Sequence, residues 1–238
     1  MISSGGQLRI LHWNVHSWRG QDDTSNVGAV AGLIRETAPH LVTLAEVDEP
    51  WGSPWALREV ADSCGYSWLF VPAFEFGQDQ PGGGFGNALL TTLPILAAHQ
   101  WQLLWPPRLY DRTEPSEQRS VLLARLERPP VPFWAGITHL PRGDKHARAD
   151  ALQRLLVLAK DLAEPWLICG DFNTPASSWL DHSHDLAVSA PALTYPADAP
   201  AEPIDYCIAS PGFRLDAEPL HVTGSDHLPV LITANQLA

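Results

Sequence analysis

The chain has 238 residues, and its 15 basic and 27 acidic side chains give a formal charge of −12. With 45% hydrophobic and 18% charged residues it has apolar material for a sizeable core, which excludes a disordered chain. No apolar run reaches the roughly 18 residues of a membrane span, and the acidic balance argues against broad nucleic-acid binding through clustered Lys and Arg. One domain over 1–238 is expected from the length. The sequence does not open with a basic stretch leading into an apolar one, and three cysteines do not make a disulfide framework. A cytoplasmic location is the expectation.

In chain order, Leu8–Val15 reads as a strand and residues 27–38 as a helix, with Val27, Val30, Ala31 and Ile34 at helical spacing before Pro39. Leu41–Val47 is a second strand. Ser53-Pro54 has the form of a cap and first-turn proline, and Gly65 of a helix stop. Strands are expected at Tyr66–Val71, Ala88–Thr92, Leu96–Leu104, Ser120–Glu127 and Phe133–Leu140, with a glycine-rich loop from Pro72 to Gly86. Asp144–Ala163 is the longest helical pattern. Trp166–Gly170, Pro203–Ala209, Pro219–Thr223 and Leu228–Thr233 complete the strands. Sheets covered by helices, an α/β or α+β sandwich, follow from this order.

Polar residues interrupt these apolar strands near their ends: Asn14, Glu46, Thr138-His139, Asp171-Phe172-Asn173, Asp205 and Asp226-His227. Each has an ordinary structural reading: a turn cap for Asn14, a solvated edge for Glu46, a hydrogen-bonded core histidine for His139, an Asx turn for Asp171. Asp205 fits a local backbone bond, and Asp226-His227 a local ion pair. Together, at successive strand ends, they ask for one explanation. Oxygen donors such as Glu46, Asp226 and Asn14 suit Mg²⁺ or Mn²⁺, and no Cys-x-x-Cys or His-Glu-x-x-His spacing offers zinc. A histidine oriented by a carboxylate can take a proton from water, and a second histidine with an asparagine can stabilise a phosphoryl oxygen. Metal-assisted phosphate-ester hydrolysis uses all of these parts.

The ordered blocks Trp13-Asn14-Val15, Ala45-Glu46-Val47, Thr138-His139-Leu140, Gly170-Asp171-Phe172-Asn173, Ile204-Asp205-Tyr206 and Ser225-Asp226-His227 resemble the endonuclease/exonuclease/phosphatase superfamily. The similarity runs from about Leu8 to Thr233. It implies a four-layer αββα sandwich, two mainly antiparallel sheets packed face to face with helices outside. It implies Glu46 as the principal metal ligand, with Asn14 and Asp226 beside the metal. It also implies His227 as the base that activates water and Asp205 as the carboxylate that orients it. Asp171 would help position the nucleophile, Asn173 would contact phosphate, and His139 would bond a non-bridging oxygen. Mg²⁺ is the implied cofactor, with Mn²⁺ as substitute.

Asn87, in another family-like strand, and Arg119 and Arg148 are further candidates for phosphate contacts, although each arginine fits a structural bond equally well. His16 stands where apurinic endonucleases have an acidic residue, which weighs against a second metal there. Thr138-His139-Leu140-Pro141 likewise departs from their Tyr-x-Pro-Asn and weighs against DNA repair. The favoured substrate is a small-molecule or lipid-headgroup phosphodiester or phosphomonoester. A nuclease acting on DNA or RNA, with Arg108, Arg112, Arg119, Arg142, Lys145 and Arg148 as a local basic groove, is the alternative. A non-catalytic binding module on the same fold is the alternative of another class. Trp51, Trp55, Trp101 and Trp105 are candidates for the border of a cleft, and Pro72–Gly86 and Trp105–Gln118 for loops that set specificity.

Overall fold

The computed structural model describes residues 7–49, 55–75, 83–104, 118–143, 145–180 and 185–236. Its first sheet combines β1 (Leu8–Asn14), β2 (Leu41–Glu49), β3 (Ser67–Glu75), β4 (Gly84–Thr91), β11 (Phe213–Pro219) and β12 (Val230–Gln236) in the order β11-β12-β1-β2-β4-β3. The second combines β5 (Ile95–Leu104), β6 (Arg119–Leu126), β7 (Phe133–His139), β8 (Trp166–Asp171), β9 (Ala187–Val188) and β10 (Asp205–Ala209) in the order β5-β6-β7-β8-β10-β9. Each sheet holds one parallel pair at its centre, β1 with β2 and β7 with β8, and every other pairing is antiparallel. A helix crosses over within each parallel pair, as a parallel connection requires: α1 (Val27–Thr37) between β1 and β2, α3 (Lys145–Lys160) between β7 and β8. A further α-helix among the described residues, α2, spans Ala56–Cys64.

The alternation along each central strand makes the four layers. In β1, Leu8 and Ile10 face the core between the sheets, while Leu11 and Trp13 join the apolar layer under α1 and α2. In β8, Leu167 and Cys169 enter the same central core, while Trp166 and Ile168 pack under α3. Helix–sheet–sheet–helix is therefore the architecture, as the family resemblance implies. Among the described residues no helix is long and apolar enough to cross a membrane.

Two local features differ from the reading of the sequence. The strand expected at Pro219–Thr223 lies earlier, at Phe213–Pro219, where Phe213 and Leu215 are buried and Arg214 and Asp216 exposed. That alternation is the mark of a half-solvated edge strand, and its charged positions hide it from a search for apolar runs. The loop expected from Pro72 to Gly86 is strand at both ends, with residues 76–82 outside the described residues. Ser53-Pro54, the expected cap of α2, also falls outside them; within the helix the Leu57 N–H donates to Glu49 Oε1 at 2.8 Å. Gly65 closes the helix with φ +76°, as expected.

Glu49 is fully buried, and burial pushes its carboxyl up to about 7 despite the bonds from Leu57 and Trp18. A carboxyl raised in the folded state gives stability that is present below the unfolded value near 4.5 and is lost as pH rises through about 7. Glu49→Gln is therefore expected to match the wild type at pH 4.5 and to exceed it by ~2 kcal/mol at pH 8. Thermal melts across that range, with parallel curves for the two proteins, would refute the burial argument.

Candidate active site

The site forms where strand ends from both sheets meet. β1, β2, β7 and β8 bring their C-terminal halves there, with Asn14, Glu46, His139 and Asp171. β10 runs antiparallel to β8 and β12 antiparallel to β1, so their N-terminal ends reach the same rim, carrying Asp205 and, just ahead of β12, His227. Two backbone details aim the side chains. In β2, Ala45 and Glu46 together oppose the single Asn87 of β4, and this bulge sets Glu46 at φ +55°. In β8, Gly170 lies so close to β7 that an added Cβ would stand 2.5 Å from the Thr138 carbonyl oxygen. Gly170→Ala is expected to cost about 2 kcal/mol by overpacking and to push Asp171 out of line. A denaturation midpoint equal to wild type would show that the strands tolerate separation.

Asn14 joins the sheets: its Nδ2 donates to Glu46 Oε1 at 3.0 Å and to Asp171 Oδ2 at 3.1 Å, while its Oδ1 accepts from the His16 N–H. Its carbonyl accepts from Ser225 Oγ, and Trp13 Nε1 donates to the His227 carbonyl, fixing the Ser225–His227 segment against β1. His227 Nδ1 lies 2.8 Å from Asp205 Oδ2, which also accepts from Thr194 Oγ1 at 2.6 Å. His227 Nε2 points the other way, 3.7 Å from Asp171 Oδ2, and the Tyr195 ring covers the imidazole with centroids 4.7 Å apart.

His139 is nearly buried, with Nδ1 3.1 Å from Arg119 Nη1. A guanidinium only donates, so Nδ1 accepts and the ring proton sits on Nε2. That nitrogen lies 3.6 Å from Asp171 Oδ2 and 3.9 Å from Glu46 Oε1. Asn173 Nδ2 lies beside it at 3.1 Å and donates to the Leu140 carbonyl, while the Asn173 backbone N–H donates to Asp171 Oδ1.

The charges sort themselves by environment. Burial, reinforced by the Arg119 guanidinium, lowers His139 to about 3, so it stays neutral at ordinary pH. Burial works against the charge of Glu46, but His16, His139 and Asn14 outweigh it and hold the carboxyl at about 2. Burial and then Asp205 raise Asp171 to about 6. Burial also disfavours the Asp205 charge, yet the imidazoles of His227 and His12 bring it well below the ordinary range. Burial opposes protonation of His227, and the carboxylates of Asp205 and Asp171 override it, raising the imidazole to about 10.

Two groups of side chains have ligand atoms within 4.8 Å of one another: Glu46 with His139 and Asp171, and Asp171 with Asp205 and His227. The partly exposed Glu46 and the buried Asp171 form a carboxylate pair on either side of the Asn14 amide, a hard oxygen donor set that fits Mg²⁺ or Mn²⁺. His139, with its proton on Nε2, offers a hydrogen bond there rather than a ligand.

The candidates Asn14, Glu46, His139, Asp171, Asn173, Asp205 and His227 are thus brought together. Asp226 stands at the edge, 3.4 Å from His16 Nδ1, and belongs to neither three-residue group. Asn87 is buried with Nδ2 donating to the Ser120 carbonyl at 3.4 Å. Arg119 serves His139, and Arg148 Nη1 donates to the carbonyls of Pro141 and Arg142. Trp55 packs on Trp68 and Phe70, and Trp101 on His99; Trp51, Trp105, Arg108 and Arg112 lie outside the described residues. The sequence reading passed over His12, which shares the inward face of β1 with Asn14 by two-residue spacing, and Thr194 as the second partner of Asp205.

The sequence profile of the Endonuclease/Exonuclease/phosphatase family matches residues 11–227. A search of curated proteins returned no match. Solved structures with the same fold include an endonuclease/exonuclease/phosphatase from Beutenbergia cavernae DSM 12333, 21% identical with a TM-score of 0.75, over 98% of this chain and 72% of that one. The mannosyl-6-phosphatase of Bacteroides thetaiotaomicron VPI-5482 is 17% identical with a TM-score of 0.73, over 95% of this chain and 99% of that one. TDP2 from Caenorhabditis elegans is 13% identical with a TM-score of 0.71, over 98% of this chain and 75% of that one.

Proposed function

Because the chain belongs to the endonuclease/exonuclease/phosphatase family, a hydrolytic family, we propose that it is a divalent-cation-dependent phosphoesterase acting on a small-molecule or lipid-headgroup phosphodiester or phosphomonoester. The observation that carries this reading is the position of Asp171, shared between the cation-capable group with Glu46 and the base group with Asp205 and His227.

Glu46 is the principal ligand in this reading, with Asp171 beside it, Asn14 holding both carboxylates, and Asp226 flanking them. Mg²⁺, or Mn²⁺ in its place, supplies charge that offsets the negative charge growing on a phosphoryl or leaving oxygen. With the Asp171 charge offset by the cation, the imidazole would lose one of the carboxylates that raise it and stand neutral, so that His227 Nε2 takes the proton of the attacking water while Asp205 keeps Nδ1–H engaged. Water adds in line to phosphorus as the bond to the ester oxygen breaks. His139 Nε2–H donates to a non-bridging oxygen, and neutrality at ordinary pH lets it do so without competing with the carboxylates for a proton. Asn173, held against Leu140 and Asp171, contacts the phosphate.

The formal charge of −12 supports a small substrate over an extended polyanion. The mannosyl-6-phosphatase among the similar structures is a precedent for a phosphomonoester on this fold. The test is a hydrolysis panel of bis(p-nitrophenyl) phosphate, p-nitrophenyl phosphate, a sugar phosphate, sphingomyelin, an inositol phosphate, plasmid DNA and an abasic duplex, each with Mg²⁺, Mn²⁺ or EDTA. Metal-dependent turnover of a small ester is the expected result. Turnover of DNA alone would replace the substrate class, and no turnover of any member would reject the enzyme reading.

A further inference from the structure

β1 places a second histidine beneath the site. His12 follows Leu8 and Ile10 on the face turned toward the other sheet, and it is completely buried. An imidazole in an apolar layer calls for partners, because a buried N–H without one costs about 1–3 kcal/mol. The first partner is the residue opposite it in the parallel register, Thr43, whose Oγ1 lies 3.0 Å from His12 Nδ1. The other ring nitrogen crosses to the second sheet and ends 3.4 Å from Asp205 Oδ1. Among the described residues neither His12 Nε2 nor Asp205 Oδ1 has a hydrogen-bond partner elsewhere, and the two face each other across that 3.4 Å.

The proton arrangement follows. Asp205 is an acceptor, so His12 Nε2 carries the ring proton and Nδ1 accepts from the Thr43 hydroxyl. The two oxygens of Asp205 are then divided, Oδ1 toward His12 and Oδ2 toward His227 and Thr194.

We propose that His12, oriented by Thr43, is a positioning residue for the catalytic base: it holds Asp205 from the opposite sheet so that Oδ2 remains on His227. The inference rests on the role of His227 and Asp205 in the proposed hydrolysis and extends that pair into a four-residue chain, Thr43–His12–Asp205–His227, that ties the two sheets together beneath the reacting atoms. Without His12, Asp205 is held through Oδ2 alone, by Thr194 and His227, and with Oδ1 unanchored the carboxylate plane can tilt and carry the imidazole it steers with it. A misplacement of that order costs turnover without altering how the substrate is held.

The test compares His12→Gln, whose side-chain N–H reaches the place of Nε2, with His12→Asn, which is polar and soluble but too short to reach Asp205. On the best substrate of the panel, His12→Asn is expected to lower kcat about tenfold to a hundredfold with KM within twofold of wild type, and His12→Gln to recover to within about threefold. The proton on His227 Nδ1, read by NMR in the folded proteins, is expected to keep its low-field resonance in wild type and His12→Gln and to lose it in His12→Asn. Equal kcat and equal resonances for the two variants would overturn the proposal, as would a change confined to KM. If wild type hydrolyses nothing while the resonance still follows the donor at residue 12, the proposed function fails and the positioning role stands.

Discussion

Exchanging His227 for asparagine is expected to lower kcat by about 10²–10⁴ while the fold survives. Asparagine retains an N–H near the place of Nδ1, so Asp205 Oδ2 keeps a donor in addition to Thr194, but nothing remains to take a proton where Nε2 stood. The loss should match that of His227→Ala, because both remove the base and differ only in how they leave Asp205. Stability should change in a defined pH window. The imidazole is raised from 6.5 to about 10, so its stabilising charge is fully present below pH 6.5 and disappears as pH rises through 10. The variant should therefore melt below wild type at pH 6.5, with the gap closing toward pH 10. Turnover within tenfold of wild type would remove His227 from the role of base.

The second large effect is expected at Asp171, the one carboxylate shared by both groups. Asp171→Asn should raise the metal concentration needed for half-saturation at least tenfold, read by direct Mn²⁺ binding as well as by activity. It should also lower the titration midpoint of His227 in the metal-free protein, because the carboxylate that helps to raise it is gone. Glu46→Gln is the matched comparison. It removes a ligand from the same pair, but Asp205, Asp171 and Asp226 are the larger charges that raise His227, with Glu46 a smaller one. Weakened metal binding with a much smaller shift at His227 is the expected pattern. Identical titration shifts in the two variants would show that the two groups are not separate.

Much of the site is visible in the sequence because it is written at strand ends. Asn14 closes β1, Gly170-Asp171-Phe172-Asn173 closes β8, and Asp205 opens β10, each beside an apolar run whose alternation gives the strand. The aim of Glu46 is different. Simple alternation does not predict the bulge opposite Asn87 or the left-handed backbone there, since both depend on how β2 meets β4. The arginines also needed the structure. Arg119 and Arg148 look alike in the sequence, but one donates to the ring of His139 and the other to two backbone carbonyls. Glu49 ends the acidic stretch Glu46-Val47-Asp48-Glu49, yet it is buried and serves the first turn of α2.

By itself the sequence determined most of the strands and helices, the four-layer class through its ordered blocks, and the residue types that could carry the chemistry. Those are local properties: an apolar alternation of period two, a stop at glycine, an asparagine after a strand. Only the tertiary structure decided which groups act on one another. Asn14 meets Asp171 across 157 positions, Trp13 meets His227 across 214, and His12 meets Asp205 from the opposite sheet. The protonation states follow from those meetings, because burial and the charge of a neighbour set them, and neither is a property of a residue within its own strand.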